Sequence, residues 1–422
     1  MRRIVPFSLI LVLALAGCAS WPRRLSARPC CMDAKPVVRK SPIWWHLFDV
    51  TVLEPLEKPF LLVRPVRKLA GVPVRAVNLR EGAVADSAFF TNRDPAALSA
   101  EQVRWGPTRP EDEPQAPFTV TKGKTEGKTA GFFVKDARGV AYLFKLDPVD
   151  APELLSGAEA VTSKLMYALG YRVPSYEVAM IRPEDLTPAP DALSKNHRGT
   201  KTPLDEAALR GLLEGRIVDG RVRVVASRIL DGEVLGPAKF KRFRDCAEMR
   251  ALKLAYAWVN NIDTKDHNSL LVWNGTETLG YLIDFGTSLG ADAGAAGPKN
   301  PCAGWINIVD MHEVAMKLVT FGMHQPPCDF NSASMSPGVG RFNGHLDPDH
   351  WKPYAPNLAF QEMNADDAEW MAGRMSRLSR AQIEAAVSAG QYSDPRDAAY
   401  LVDALEERRR AILDRYLKES HT

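Results

Sequence analysis

Between Trp258 and Gly290 the chain reads Trp-Val-Asn-Asn-Ile-Asp-Thr-Lys-Asp-His-Asn-Ser-Leu-Leu-Val-Trp, then a polar break, then Leu-Gly-Tyr-Leu-Ile-Asp-Phe-Gly-Thr-Ser-Leu-Gly. Asp263 and Asn268 stand five positions apart, and Asp284 follows Asn268 by sixteen, opening an Asp-Phe-Gly turn. Apolar runs at Ser269 to Trp273 and Gly280 to Ile283 lie between them and read as strands. Hard oxygen donors of this kind suit Mg²⁺, which binds through one or two carboxylates and keeps several waters. A polar helix-to-strand loop with capping duties is the plainer reading of Asp263, Asp266 and His267. Any fold proposed for the chain has to account for this stretch first.

At 422 residues the chain is long enough for two or three packed units. A hydrophobic share of 45% against 25% charged residues is that of a globular protein, not a disordered one. A net charge of +3, with no basic stripe interleaved with aromatics, gives no case for nucleic acid as a partner. The N-terminus is a leader: Arg2 and Arg3 precede an apolar run from Ile4 to Ala16, shorter than the ~20 residues a membrane span needs. Leu15-Ala16-Gly17-Cys18 resembles the lipobox of bacterial lipoproteins. That resemblance implies removal of residues 1–17, acylation of Cys18, and a membrane anchor in the cell envelope. With Ala19 following the cysteine, it favours the outer membrane, facing the periplasm. An oxidising compartment permits disulfides. Cys302 and Cys328 bracket a loop-rich stretch and are the first expected pair, whereas Cys30 and Cys31 read as part of a tether over residues 18–40.

An N-terminal extension, residues 41–116, carries Trp44 and Trp45, which sit either at a membrane interface or, the preferred reading, against the domain surface. Residues 117–230 open with three strand-like runs, Phe118 to Lys122, Ala130 to Lys135 and Val140 to Leu146. Gly123 and Gly127 punctuate the loop between the first two. The spacing is one short of a Walker A loop, and a strand follows where a helix should. A glycine-rich hairpin covering phosphates with amides and lysines is one reading, a plain turn the other. Lys145 ends the third strand, and a helix over residues 152–170 carries Glu159 among small and apolar residues. Residues 182–216 read as an insertion with one short helix, and residues 231–237 as a turn and inter-lobe hinge. From 231 to 422 helices dominate, giving an α+β chain with a β-rich first lobe and a mainly helical second.

Phosphoryl transfer leaves a protein little covalent work. It must align donor and acceptor and neutralise charge on the phosphate oxygens. A strand lysine held by a helix glutamate, a catalytic Asp, a metal-binding Asn five residues on, and a metal-binding Asp in Asp-Phe-Gly form the set used by kinases. On Lys145, Glu159, Asp263, Asn268 and Asp284 the chain resembles the atypical protein-kinase-like fold, similar to HipA toxin kinases, spore-coat CotH kinases and secretory-pathway kinases. More particularly it resembles bacterial envelope proteins carrying Trp-x-Asn-x-x-Asp-Thr-Lys-x-x-Asn and a later Asp-Phe-Gly-x-x-Leu-Gly. The resemblance implies a two-lobed fold, ATP or another nucleotide with Mg²⁺ or Mn²⁺, and an acceptor it does not name. It casts Asp263 as the catalytic carboxylate, Lys265 as neutralising the moving phosphoryl group, and Asn268 and Asp284 as metal ligands. Lys145, Glu159, Gly123 and Gly127 would hold the nucleotide. No His-Arg precedes Asp263 and no Ala-Pro-Glu follows Asp284, so a non-catalytic binding lipoprotein on a kinase scaffold is the alternative. A serine hydrolase is the second alternative, because Gly286-Thr-Ser-Leu-Gly290 places Ser288 in a Gly-x-Ser-x-Gly pattern. A metal hydrolase built on His312, His324, His345 and His350 is weaker, as no pair has the i, i+4 spacing of a zincin.

Overall fold

The computed structural model describes residues 29–38, 42–54, 66–67, 69–72, 74–124, 129–195, 200–330 and 333–417. The leader, Cys18 and Gly127 lie outside the described residues. Near the front of the described chain, α1 (Ile43–Phe48) runs into a further irregular turn to Leu53.

Strict alternation builds the sheet that follows. β1 (Phe118–Gly123), β2 (Gly131–Lys135) and β3 (Ala141–Leu146) form an antiparallel meander. Because side chains alternate faces, Phe118, Val120, Phe132, Val134, Tyr142, Phe144 and Leu146 all turn into one core. β4 (Tyr176–Ile181), β5 (Leu186–Lys195), β6 (Lys201–Pro203), β7 (Ile217–Val218) and β8 (Arg221–Arg228) complete the sheet. Its order is β4-β8-β3-β2-β1-β5-β6, with β7 paired to β8. β1 and β5 run parallel. The expected insertion at 182–216 therefore adds β5 and β6 to the sheet, and it carries the one short helix expected in it, Glu206–Leu213. β5 holds Pro188 and Pro190 yet still pairs with β1, through Leu186, Thr187, Pro188 and, after a register shift, Leu193.

α2 (Leu154–Ala168) lies on the opposite face of this sheet and is buried almost all round. α3 (Glu206–Leu213) closes the first face with Leu209 and Leu213. The residues expected to form the inter-lobe turn instead make β9 (Glu233–Gly236), which pairs with β10 (Ser269–Trp273); β10 in turn pairs with β11 (Thr278–Leu282). Then come α4 (Ala247–Trp258), α5 (Met311–Val319), α6 (Ala365–Ser376), α7 (Arg380–Ser388) and α8 (Pro395–Tyr416). The chain is thus α+β, sheet-rich in its N-terminal region and helical in its C-terminal region. The larger core joins α2 to α4, α6, α7 and α8 through Leu165, Leu252, Met371, Ile383 and Leu405.

Two disulfides tie this together. Cys302 bonds Cys328, as expected. Cys30 bonds Cys246 at the start of α4, which corrects its reading as part of a loose tether. From Cys30 onward the tether is docked: the Ala88 amide donates to the Cys30 carbonyl (3.0 Å) and the Thr278 amide to that of Met32 (2.8 Å). The Asp86–Arg93 loop is a core plug, with Phe89 and Phe90 fully buried and Ser87 donating to Glu248 Oε1 at 2.6 Å.

Candidate active site

Lys145 sits on β3 opposite the face of Phe144 and Leu146, so it points at α2, and it is buried. Its Nζ donates to Glu159 Oε1 at 2.6 Å and to Asp284 Oδ1 at 2.9 Å. One ammonium is thus shared by a helix carboxylate and the Asp-Phe-Gly carboxylate. Burial works to lower the lysine's pKa, but Asp284 and Glu159 overcome it and hold it above the ordinary value. For Asp284 burial is likewise overcome, by Lys145, Lys265 and Lys124, and its carboxyl lies well below the usual range. Burial dominates at Glu159 and raises its carboxyl above the ordinary value.

The parts that place this trio are local. Two residues after Lys145, Asp147 accepts from the Leu155 and Ser156 amides at 2.9 and 2.8 Å and from the Ser156 hydroxyl at 2.6 Å. These are free amides of the first turn of α2, so Asp147 ties the helix start to the strand end. Glu159 follows one turn later, on a helix whose Lys164 is fully buried and paired with Glu177 on β4. Asp284 takes a left-handed φ of +62°. Its amide donates to the Tyr176 hydroxyl at 3.2 Å, and Phe285 packs fully buried against the Tyr176 ring at 6.0 Å. Gly286 lets the turn approach α2 closely: a Cβ there would stand 3.1 Å from Glu159 Oε1.

Asp263 and Asn268 come from the loop after α4. Arg408 closes the end of that helix by donating to the Trp258 and Ala257 carbonyls at 2.8 and 2.6 Å. The Asp263 side chain is half-buried, with 21% exposed, and Lys265 donates to its Oδ2. It makes no cap, so the capping reading fails for this residue. Asn268 is buried; its Nδ2 donates to the Asp263 carbonyl at 2.8 Å. The Ile283 amide donates to the Asn268 carbonyl at 3.0 Å, so the open end of the β10–β11 hairpin sets Asn268 beside Asp284. Asn268 Oδ1 is buried with no hydrogen-bond partner. An orphaned amide oxygen next to an ionised carboxylate is the donor set a hard divalent cation takes.

Lys124, one of the hairpin lysines, lies near the site: its Nζ donates to the Thr129 carbonyl at 3.1 Å and to the Thr129 hydroxyl, within electrostatic reach of Lys145, Asp284 and Glu159. It follows Gly123 at the end of β1, and its stem crosses Gly131, where a Cβ would stand 3.5 Å from Lys124 Cδ. Gly131 pairs directly with Lys145. Burial and neighbouring Lys145 lower the Lys124 ammonium to about 8 against the pull of Asp284 and Glu159. Gly123 itself is a packing glycine: a Cβ would stand 2.6 Å from Ser194 Oγ on β5. Tyr176 and Asp147 also escaped the sequence reading, being an ordinary strand aromatic and an ordinary turn acid until their partners are seen.

Ser288 is not a nucleophile. It is fully buried, and its hydroxyl is bound to Thr162 Oγ1 at 2.6 Å and to the Phe285 carbonyl at 2.6 Å, with no imidazole among its partners. The four histidines do not share one site: His312 and His324 both meet Glu313, at 3.4 and 2.8 Å, whereas His350 meets Asp347 at 2.7 Å and His345 stacks on Trp305 at 5.5 Å.

No family model and no curated protein matches the chain. Among solved structures it is similar to the Helicobacter pylori proinflammatory kinase CtkA, with a TM-score of 0.37 and 12% identity over 72% of this chain and 99% of that one. A Golgi casein kinase matches with a TM-score of 0.29 and 11% identity, over 92% of this chain and 96% of that one. The Golgi casein kinase with Mn/ADP bound gives 0.28 and 10%, over 73% and 76%. The likenesses are loose, and the functional reading stands on the site's own geometry.

Proposed function

We propose that the chain is a phosphotransferase that moves a phosphoryl group from a nucleotide such as ATP to a hydroxyl acceptor, while anchored to the envelope membrane through Cys18. The observation that carries this is the convergence of Lys145, Glu159 and Asp284 beside the orphaned Asn268 Oδ1. Asn268 and Asp284 would hold Mg²⁺ or Mn²⁺, which when bound neutralises charge on the phosphate oxygens. Lys145, fixed by Glu159, orients the nucleotide phosphates, and Lys124 covers them from the hairpin. Asp263 accepts the proton of the acceptor hydroxyl at its carboxylate. Lys265, two residues on, balances the charge of the group in transit.

The test is transfer of label from γ-phosphate-labelled ATP, with divalent metal, to water, to the chain itself and to envelope fractions. Asp263→Ala should lower turnover by about 10²–10⁴-fold, the usual scale for a positioned acid–base group, with nucleotide binding retained. Binding without any turnover in the unsubstituted chain would favour the non-catalytic scaffold. Anchoring is read separately, from the mass of the N-terminal peptide of membrane-extracted protein and its loss in Cys18→Ala.

A further inference from the structure

α1 has two faces. The inner one buries His46, and beyond the helix Val50 and Glu54. It leans on the loop that carries Asp263, with His46 Nδ1 3.4 Å from Asp266 Oδ2; just past the helix, Asp49 Oδ2 lies 3.2 Å from Lys241 Nζ in the turn before α4. The outer face is aromatic. Trp44 is 63% exposed, and Trp45, Leu47 and Phe48 are each 41% exposed. The two tryptophan rings meet edge to face at 5.7 Å, and Trp45 meets Phe48 at 5.6 Å, so the three rings form one continuous surface. The segment therefore docks on the domain through His46, Val50 and Glu54, and the tryptophans, expected to make that contact, are left outside.

Clustered exposed aromatics mark a binding surface, and the chain itself limits what can cover this one. The Cys30–Cys246 disulfide pins the tether to the start of α4. Cys30 follows Cys18 by twelve positions, a reach of at most ~40 Å fully extended. A lipid on Cys18 would thus keep a bilayer within that distance of the body. Tryptophan favours the headgroup level of a bilayer, and short amphipathic helices lie in that plane. Among the described residues no helix is long and apolar enough to cross a membrane, so contact through α1 would be peripheral.

We infer that the outer face of α1, Trp44, Trp45 and Phe48, rests in the headgroup layer of a lipid bilayer and sets the orientation of the catalytic loop above it. The bilayer's proximity rests on the lipid-anchor reading of Cys18; the affinity of the face does not. Attachment comes from the acylated cysteine, and orientation from α1. Because His46 contacts Asp266, three residues from Asp263, a seated α1 presents the acceptor side of the site at a fixed height over the lipid.

The test uses residues 19–422, which include every described contact and lack the acylated cysteine. The probe is vesicles of phosphatidylethanolamine and phosphatidylglycerol, read by flotation and by tryptophan quenching with brominated acyl chains. The unsubstituted form should float and be quenched. Trp44→Ser/Trp45→Ser should lower the bound fraction by at least about tenfold, the scale of burying one large apolar side chain, at an unchanged melting temperature. Flotation that survives the double substitution overturns the inference, as does the absence of both flotation and quenching in the unsubstituted form. So does loss of flotation on Leu318→Ser/Phe321→Ser instead, since those exposed residues lie on and beyond α5. Because the chain holds nine tryptophans, the quenching that counts is the part lost in Trp44→Phe/Trp45→Phe, a gentler variant that keeps aromatic rings in place; quenching undiminished there overturns the inference. Failure of the anchor reading shows separately, as an unmodified Cys18 in the full chain.

Discussion

Lys145 shows how much a single position can carry. Its ammonium, between Glu159 Oε1 and Asp284 Oδ1, joins a strand, a helix and the Asp-Phe-Gly turn in two hydrogen bonds. A buried charge is tolerable only when it is paired and bonded, so Lys145→Ala should do more than remove a phosphate contact. It leaves two carboxylates facing each other, and a stability loss of about 3–5 kcal/mol in chemical denaturation is expected. Lys124 answers to pH instead. Its ammonium titrates at about 8, below an ordinary lysine, so raising the pH through that value discharges it. Nucleotide affinity, measured by calorimetry, should therefore fall from about pH 8 upward, the bound phosphates shifting the midpoint higher. Lys124→Arg, which stays charged throughout, should flatten that decline; an equally steep decline in the variant would remove Lys124 from the phosphates. The core residues of the site were legible because Asp263, Asn268 and Asp284 are close in sequence. Lys124 was less so, because its approach to Lys145 runs across the sheet through the missing side chain of Gly131.

At the scale of elements, α2 is positioned by its first turn. Asp147 on the strand side accepts two helix amides and the Ser156 hydroxyl, and Ser156 Oγ also accepts from Arg223 Nε at 2.8 Å. Asp147→Ala should cost about 2 kcal/mol of stability and weaken nucleotide binding by loosening Glu159, while Glu159 itself is untouched. Thermal melts and calorimetry on one preparation would show both effects, and intact affinity would mean that Glu159 needs no such brace. Helices and the meander strands could be read from the sequence, because α2 and β1 to β3 obey the periods that burial imposes. β5 and β9 could not. β5 contains Pro188 and Pro190 and gains its place by parallel pairing with β1, and β9 is held by β10 from across the chain. Long-range pairing of this kind leaves no local pattern.

For the whole molecule, the disulfides set the frame. Cys30–Cys246 spans 216 residues and Cys302–Cys328 spans 26. In the chain-entropy description, closing the longer loop is worth about 5 kcal/mol and the shorter about 3.5 kcal/mol. Cys246→Ser should therefore destabilise the fold more than Cys328→Ser in denaturant titration, and the reverse order would mean that the N-terminal segment adds little to the body it is bonded to. The first of these bonds was hidden in the sequence, since a cysteine in an Arg/Pro-rich tether carries no mark of its partner on α4. Within this frame the sheet and the helical body meet at Lys145, Asp263, Asn268 and Asp284. The central claim is that this meeting point binds a nucleotide with a divalent metal and uses it. The most direct measurement is the thermal shift of the purified chain with ATP and Mg²⁺ or Mn²⁺, beside Asp284→Ala and Asp263→Ala. The account predicts a metal-dependent rise in melting temperature for the unsubstituted chain and for Asp263→Ala, and none for Asp284→Ala. No rise with any nucleotide, or an undiminished rise in Asp284→Ala, would contradict it.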